Sequence, residues 1–250
     1  MVEKNPQMHK HYTYVKNEKD ADAIAWTFLS KDKFVKFPYK FPPLGDDEIR
    51  ANITHTGLCH SDSLCGRSQW GPANYPISPG HEIVAVVSKV GKNVKDFKVG
   101  DRIAYGPLRN NCEKCVACKG GKDSVCIGMP FSERGIYGEY WGGYSTAIQH
   151  PAKYAFKIPG NLPSDRTAPL MCAGVTVFAP LFRFVKPGDK VAVLGIGGLG
   201  HLAVAYANKL GCHVTGFTST PGKEDFIKKL GAHDVQSSSD PESLEKCLKV

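Results

Sequence analysis

The sequence predicts two units of different fold class: a β-barrel-like domain, then an α/β domain built on a parallel sheet. Two patterns carry that expectation. From about Ile24 to Lys157, short runs of strand-forming residues are separated by glycine and proline turns. After Asn161, strand-length apolar runs alternate with helix-length stretches, as in parallel strands joined by helical crossovers. A chain of 250 residues is long enough for both.

In the first unit the clearest strands are Glu48–Ile53, Ile83–Val90 (closed by Gly91), Arg102–Tyr105 and Tyr154–Ile158. Their spacing suits a compact barrel-like domain. Ser164-Asp165 then starts a helix whose Ala/Leu/Val-rich body runs to about Phe184, and Pro187-Gly188-Asp189 makes a turn. Next come the apolar strand Val191–Leu194, a glycine loop, and a helix from about His201 to Leu210 stopped by Gly211. A second strand, Val214–Thr218, leads to Pro221 at a helix first position. That helix ends at Gly231, and Asp234–Gln236 reads as a third strand.

Composition excludes several function classes. Apolar residues make up 42% and charged residues 22%, the balance of a folded globular chain. No run reaches the roughly 18 apolar residues of a membrane span, and Met1–Asp22 has no apolar core of the signal-peptide kind. The expected address is therefore cytoplasmic. The net charge of +8 is spread along the chain and interleaved with acids, Lys228-Lys229 being the longest basic cluster. That distribution argues against a nucleic-acid partner and suits a solvated surface biased toward an anionic cofactor.

Nine cysteines are present, and four fall within fifteen residues as Cys112-x2-Cys115-x2-Cys118-x7-Cys126. In a reducing compartment such spacing points to a metal rather than to disulfides. Four thiolates can close a tetrahedron with no position left for water, so the expected ion is a structural Zn2+. An iron–sulfur cluster is the chemical rival. The bacterial ferredoxin run places three residues before its last cysteine and proline after it, whereas here there are seven, and Ile127 follows.

The loop Gly195-Ile196-Gly197-Gly198-Leu199-Gly200 fits G-x-G-x-x-G between an apolar strand and a helix. The first glycine allows the tight turn and the second lets backbone approach a pyrophosphate. The third lets helix and strand pack closely. After the second strand the chain reads Thr218-Ser219-Thr220-Pro221-Gly222-Lys223, with no carboxylate until Glu224. An NAD site wants an acid there for the ribose 2′-hydroxyl. Hydroxyls and an ammonium suit a 2′-phosphate instead, so NADP(H) is the expected cofactor.

Cys59-His60-Ser61-Asp62, Gly80-His81-Glu82 and Cys172 obey no local spacing rule, and taken singly each reads as an ordinary buried or turn residue. Taken together with the other motifs, they resemble the zinc-containing medium-chain alcohol dehydrogenases, within them the cinnamyl alcohol dehydrogenase-like branch. The strings that carry the resemblance run in the family's order, from about Ala23 to Val235. They are Gly57–Asp62, Pro79–Glu82, the four-cysteine loop, Gly142-Gly143-Tyr144-Ser145, Leu170–Thr176 and Gly195–His201.

The resemblance implies a GroES-like β-barrel catalytic domain, residues 1–173 with the structural-zinc loop at 112–126, followed by the first half of a Rossmann cofactor-binding domain, residues 174–250. It implies an active site in the cleft between them and two zinc ions per chain. Cys59, His81 and Cys172 would ligate a catalytic zinc, with Glu82 able to replace water on it. The reaction would be hydride transfer between NADP(H) and a primary alcohol or aldehyde. Ser61 would hydrogen-bond the substrate oxygen and begin proton relay, His60 and Thr176 would lie near the cofactor, and Trp70 and Trp141 would be substrate-pocket candidates. The full-length family implies a homodimer.

Two departures from the family stand out. Where many members carry a histidine three residues after the relay hydroxyl, this chain has Leu64, so the proton is expected to leave by another route, His60 or water, or to leave slowly. After the third strand only Ser237–Val250 remains, so the second half of the Rossmann fold is expected to be absent and the first strand to be an open edge. A non-catalytic zinc-binding fragment of such an enzyme is thus the rival function. A third reading, an iron–sulfur or nucleic-acid-binding module built on the cysteine loop, would need visible-range colour or a concentrated basic stripe, and the sequence has no such stripe.

Overall fold

The computed structural model describes residues 11–242 and 245. Part of the polar N-terminal segment and Cys247 lie outside the described residues. The chain divides into two compact units, Met1–Cys172 and Ala173–Val250, each taken by itself below.

The first unit contains β1 (Thr13–Tyr14), β2 (Ala23–Ser30), β3 (Lys33–Lys40), β4 (Glu48–Thr56), α1 (His60–Gly66), β5 (Ile83–Val90) and β6 (Arg102–Tyr105). They are followed by α2 (Val116–Lys119), α3 (Phe131–Arg134), β7 (Ala147–Pro151), β8 (Ala155–Lys157) and α4 (Ser164–Thr167). A five-stranded sheet runs β7-β4-β5-β6-β8 with every pair antiparallel, and a smaller sheet runs β1-β3-β2. Side chains alternate across a strand, so the odd positions Ile49, Ala51, Ile83, Ala85, Val87, Ile103 and Tyr105 share one face and form the core with Ile136 and Ile148. Even positions Val84 and Ala104 pack on the opposite face against Ala168. Being covered on both faces, β5 reads as the continuous run Ile-Val-Ala-Val-Val rather than an alternation. Each fully buried isoleucine here contributes about 1.5–3 kcal/mol relative to exposure.

An aromatic cluster of Tyr12, Phe37, Tyr39, Phe41 and Trp141 joins the smaller sheet to the loop before β7. Trp141 is 1% exposed and its indole N–H donates to the Pro76 carbonyl at 3.3 Å. It is a packing residue, which corrects its reading as a pocket candidate. Trp70 is 60% exposed, with its ring edge-on to Tyr137.

The second unit contains α5 (Ala173–Phe184), β9 (Lys190–Leu194), α6 (Gly198–Lys209), β10 (His213–Thr218), α7 (Glu224–Lys229) and β11 (Asp234–Ser237). Its three strands are parallel in the order β11-β10-β9, with Val214 opposite Val191 and Gly216 opposite Val235. This order is one half of a Rossmann sheet. The expected single helix from Ser164 to Phe184 is interrupted. Residues 168–171 form a tight turn around Pro169, and Cys172 leaves helical geometry at φ −123°, ψ −74° before α5 begins. The helix expected from Pro221 starts at Glu224 instead, because Gly222 adopts φ +78°. The loop helix starts at Gly198, three residues before the expected His201. Among the described residues β9 has a strand partner on one side only.

Candidate functional site

Cys59 precedes α1 in extended geometry, and Asp62 follows in the first turn. The Asp62 carboxylate folds back to accept the Cys59 backbone N–H at 3.1 Å, fixing the angle at which the cysteine leaves the helix. The Pro79–Glu82 string is held from the other side. Gly142, Gly143 and Tyr144 donate backbone N–H bonds to the carbonyls of Ser78, Gly80 and Pro79 at 2.6–2.9 Å. Gly80 has φ +101°, and a Cβ there would lie 2.6 Å from the Tyr144 nitrogen. Only glycine meets both demands. Gly57 is needed for a different reason: a Cβ on it would lie 1.8 Å from Glu82 Oε2.

These turns bring ligand-type atoms of Cys59, His81, Glu82 and Cys172 within 4.8 Å of one another. His81 and Glu82 are buried, and both cysteines are half-buried. His81 Nδ1 lies 2.9 Å from Asp62 Oδ1, so Nε2 is the nitrogen left for a metal. Asp62 also accepts from the Gly80 N–H at 2.9 Å, the Tyr137 hydroxyl at 2.8 Å and the Tyr144 hydroxyl at 3.0 Å. Burial alone would raise the Asp62 carboxyl, but the hydrogen bond and charge of His81, with the Gly80 and Tyr137 donors, hold it below the ordinary carboxylate value. Burial and the Asp62 charge push both tyrosine hydroxyls up, so they stay protonated donors. The same two causes push the Cys65 thiol up to about 11. Two sulfurs and one imidazole fit a zinc ion with its fourth position open, and the Glu82 carboxylate stands close enough to fill that position in place of water.

Ser61 is half-buried and His60 exposed at the start of α1, directly after Cys59. Leu64 occupies the next turn of the same helix and offers no group able to carry a proton.

The four-cysteine loop closes on itself. Cys115 Sγ lies 3.5 Å from Cys118 Sγ and 4.0 Å from Cys126 Sγ, and Cys112 Sγ lies 3.9 Å from Cys118 Sγ. A tetrahedral zinc with bonds of about 2.3 Å requires sulfurs about 3.8 Å apart. The cage is thus the size of one ion, too narrow for a multi-iron cluster. Backbone N–H groups of Cys118 and Ile127 draw the Cys115 thiol down to about 5, and those of Lys114 and Cys115 lower Cys112. Burial raises Cys118 to about 12. Gly128 is required because a Cβ would meet Cys112 Sγ at 2.4 Å. Lys153 ties the loop to the sheet through Glu113 at 2.6 Å and Asn111 at 3.1 Å.

In the second unit the glycines of the loop meet different local demands. Gly195 takes φ +86°, and a Cβ on Gly200 would lie 2.0 Å from the Gly195 carbonyl oxygen. Gly197 and Gly198 face open space, leaving room for a ligand beside the α6 N-terminus. Thr218 is buried and accepts the Thr220 N–H on Oγ1, Ser219 and Thr220 are exposed, and Lys223 Nζ donates to the Ile196 carbonyl at 3.3 Å. The lysine therefore already sits over the loop. Leu199 is partly exposed on the first turn of α6, and Thr176 is exposed on the first turn of α5.

Sequence reasoning missed Asp62, Tyr137 and Tyr144 as a group. The one local signal is the Cys59-x-x-Asp62 spacing, which is that of a capping box. Among the described residues no single helix is long and apolar enough to cross a membrane.

Comparison with known proteins agrees with this geometry. The family model of the alcohol dehydrogenase GroES-like domain matches residues 45–160. An NADP-dependent alcohol dehydrogenase C from Mycolicibacterium smegmatis is 40% identical over 214 residues, covering 81% of this chain and 60% of the relative. The solved cinnamyl alcohol dehydrogenase of Sorghum bicolor matches with a TM-score of 0.81 at 32% identity, over 90% of this chain and 66% of that one. That of Helicobacter pylori, complexed with NADP(H), matches with a TM-score of 0.79 at 33% identity, over 88% and 65%. The chain thus spans about 60% of the length of the curated relatives it matches. In sequence and in fold this chain is similar to the alcohol dehydrogenases, cinnamyl alcohol dehydrogenases among them, and its residues 45–160 match their GroES-like domain.

Proposed function

We propose that the protein transfers a hydride between NADP(H) and a primary alcohol or aldehyde, using one zinc held by Cys59, His81 and Cys172 and a second held by Cys112, Cys115, Cys118 and Cys126. The observation that carries this reading is the convergence of Cys59, His81, Glu82 and Cys172 within 4.8 Å, with His81 already oriented by a buried carboxylate. Zinc in such a site supplies Lewis acidity to a carbonyl or alcohol oxygen. The rest is done by the chain. Asp62 fixes the tautomer and plane of His81, and Gly57 leaves the space in which Glu82 stands beside the ligands. Ser61 hydrogen-bonds the substrate oxygen and passes its proton to His60 or water, because Leu64 carries none. The Gly195–Gly200 loop takes the pyrophosphate, with Thr176 near the cofactor. Thr218, Ser219, Thr220 and Lys223 accept the 2′-phosphate, whose charge a carboxylate would repel.

A small-molecule alcohol or aldehyde as substrate and a cytoplasmic address belong to the same proposal, while the homodimer implied by the resemblance belongs to the full-length family. The relative named as NADP-dependent and the neighbour complexed with NADP(H) support the cofactor assignment. The test is Cys172→Ala. Aldehyde reduction by NADPH should disappear while the four-cysteine loop keeps its metal. Turnover retained in that variant would contradict the assignment.

A further inference from the structure

Asp62 is supplied with more donors than a carboxylate can fully serve. Oδ1 faces the Gly80 N–H, His81 Nδ1 and the Tyr137 hydroxyl, while Oδ2 faces the Cys59 N–H and the Tyr144 hydroxyl. Five donors thus compete for about four lone-pair positions. Two of the five are fixed backbone groups that set the carboxylate's place. The two tyrosines are different, because they reach it from the loop between α3 and β7, and removing a phenol oxygen moves no backbone. Tyr137 is buried, its ring is edge-on to His81 with centroids 5.1 Å apart, and its hydroxyl also lies against His81 Nδ1.

We propose that Tyr137 and Tyr144 are positioning residues that moderate how strongly His81 donates to a metal, by sharing the Asp62 carboxylate with it. This rests on the reading of Cys59, His81 and Cys172 as metal ligands. A carboxylate accepting an imidazole N–H makes the opposite ring nitrogen a stronger donor. Each phenol that also donates to that carboxylate weakens its hold on the N–H. Tyr137 acts on the same oxygen as His81, and Tyr144 on the other, so Tyr137 has the larger effect. The consequence is a histidine that binds the ion firmly without quenching its Lewis acidity.

The sign of the effect separates this role from a merely structural one. If the phenols only brace the site, removing one loosens metal binding. If they moderate Asp62, removing one tightens it. The full chain is stripped of metal and titrated with Zn2+, and separately with Co2+, against a chromophoric chelator, with the four-cysteine loop as internal reference. Tyr137→Phe should tighten the Cys59/His81/Cys172 site about three- to tenfold, Tyr144→Phe by less, and both should shift its cobalt absorption bands. Asp62→Asn should move affinity the other way, and the loop should not change. Two metals in the native chain with an unchanged or weakened site in both tyrosine variants overturn the inference. Uptake of metal by the loop alone in the native chain overturns the metal-centre reading, and this inference with it. Should Tyr137→Phe not fold, Tyr144→Phe decides by the same sign.

Discussion

Replacing Asp62 by asparagine keeps its shape and removes its charge. The amide has one oxygen, which can serve either the Oδ1 donors or the Oδ2 donors. Turned toward Gly80, His81 and Tyr137, it points an NH2 at the Cys59 N–H and the Tyr144 hydroxyl. The hydroxyl can rotate to accept, but the backbone N–H cannot, and one stranded buried donor costs about 1–3 kcal/mol. Losing the charge weakens the remaining bonds by about 1 kcal/mol more. The total of about 2–4 kcal/mol lowers the melting temperature of the first unit by roughly 5–15 °C. At the metal, loss of the partner of a ligating histidine typically reduces affinity about 10- to 100-fold. Differential scanning calorimetry and a zinc-chelator competition on the same samples check both figures. A variant that melts and binds zinc like the native protein would refute the argument that Asp62 organises His81.

The remaining predictions concern other parts of the chain. His150 is fully buried, and burial together with the nearby Arg109 holds its imidazole well below the ordinary value. The unfolded chain therefore takes up this proton first, and its contribution to stability is present above about pH 6.5 and lost as pH falls, by about 1.4 kcal/mol per pH unit. Denaturant melts of His150→Leu should show a shallower loss between pH 6.5 and 5 than the native chain, and an identical slope would sink the claim. Gly200→Ala drives a Cβ to 2.0 Å from the Gly195 oxygen, so it should abolish NADPH binding while leaving the metal content of the first unit unchanged. Lys223→Ala should weaken NADPH about tenfold, the scale of one charge-assisted bond in a half-exposed setting, and leave NADH nearly unaffected. Equal losses for the two nucleotides would remove Lys223 from 2′-phosphate recognition.

Legibility followed how local each signal is. The cysteine loop and the glycine loop could be read from spacing because all their partners lie within a few residues. The strands Ile83–Val90 and Arg102–Tyr105 were visible because turn residues bracket them, whereas the strand read as Glu48–Ile53 continues to Thr56. By contrast β3 alternates only weakly and contains Pro38, so neither period nor composition announces its pairing with β2. The break before α5 had one sequence signal, Pro169, set in a stretch whose composition is otherwise helical. Cys59, His81 and Cys172 come from three distant segments, and only resemblance joined them before the fold did. Tyr144 and Asp62 stand in the resembling strings, but the contact of Tyr137 and Tyr144 with Asp62 lay beyond both routes, since no local pattern marks a hydroxyl that reaches a remote carboxylate. Trp141 was misread because a tryptophan near a candidate site looks the same in sequence whether it lines a pocket or fills a core.

Zinc content and NADPH titration on one sample of the purified chain test the central claim most directly, the titration followed by the nucleotide's fluorescence. Two zincs per chain, falling to one in Cys172→Ala, with saturable NADPH binding in the native protein, is the result the account predicts. A native chain with a single zinc that Cys172→Ala leaves in place would contradict the catalytic metal centre. Two zincs without NADPH binding would contradict the cofactor half of the account.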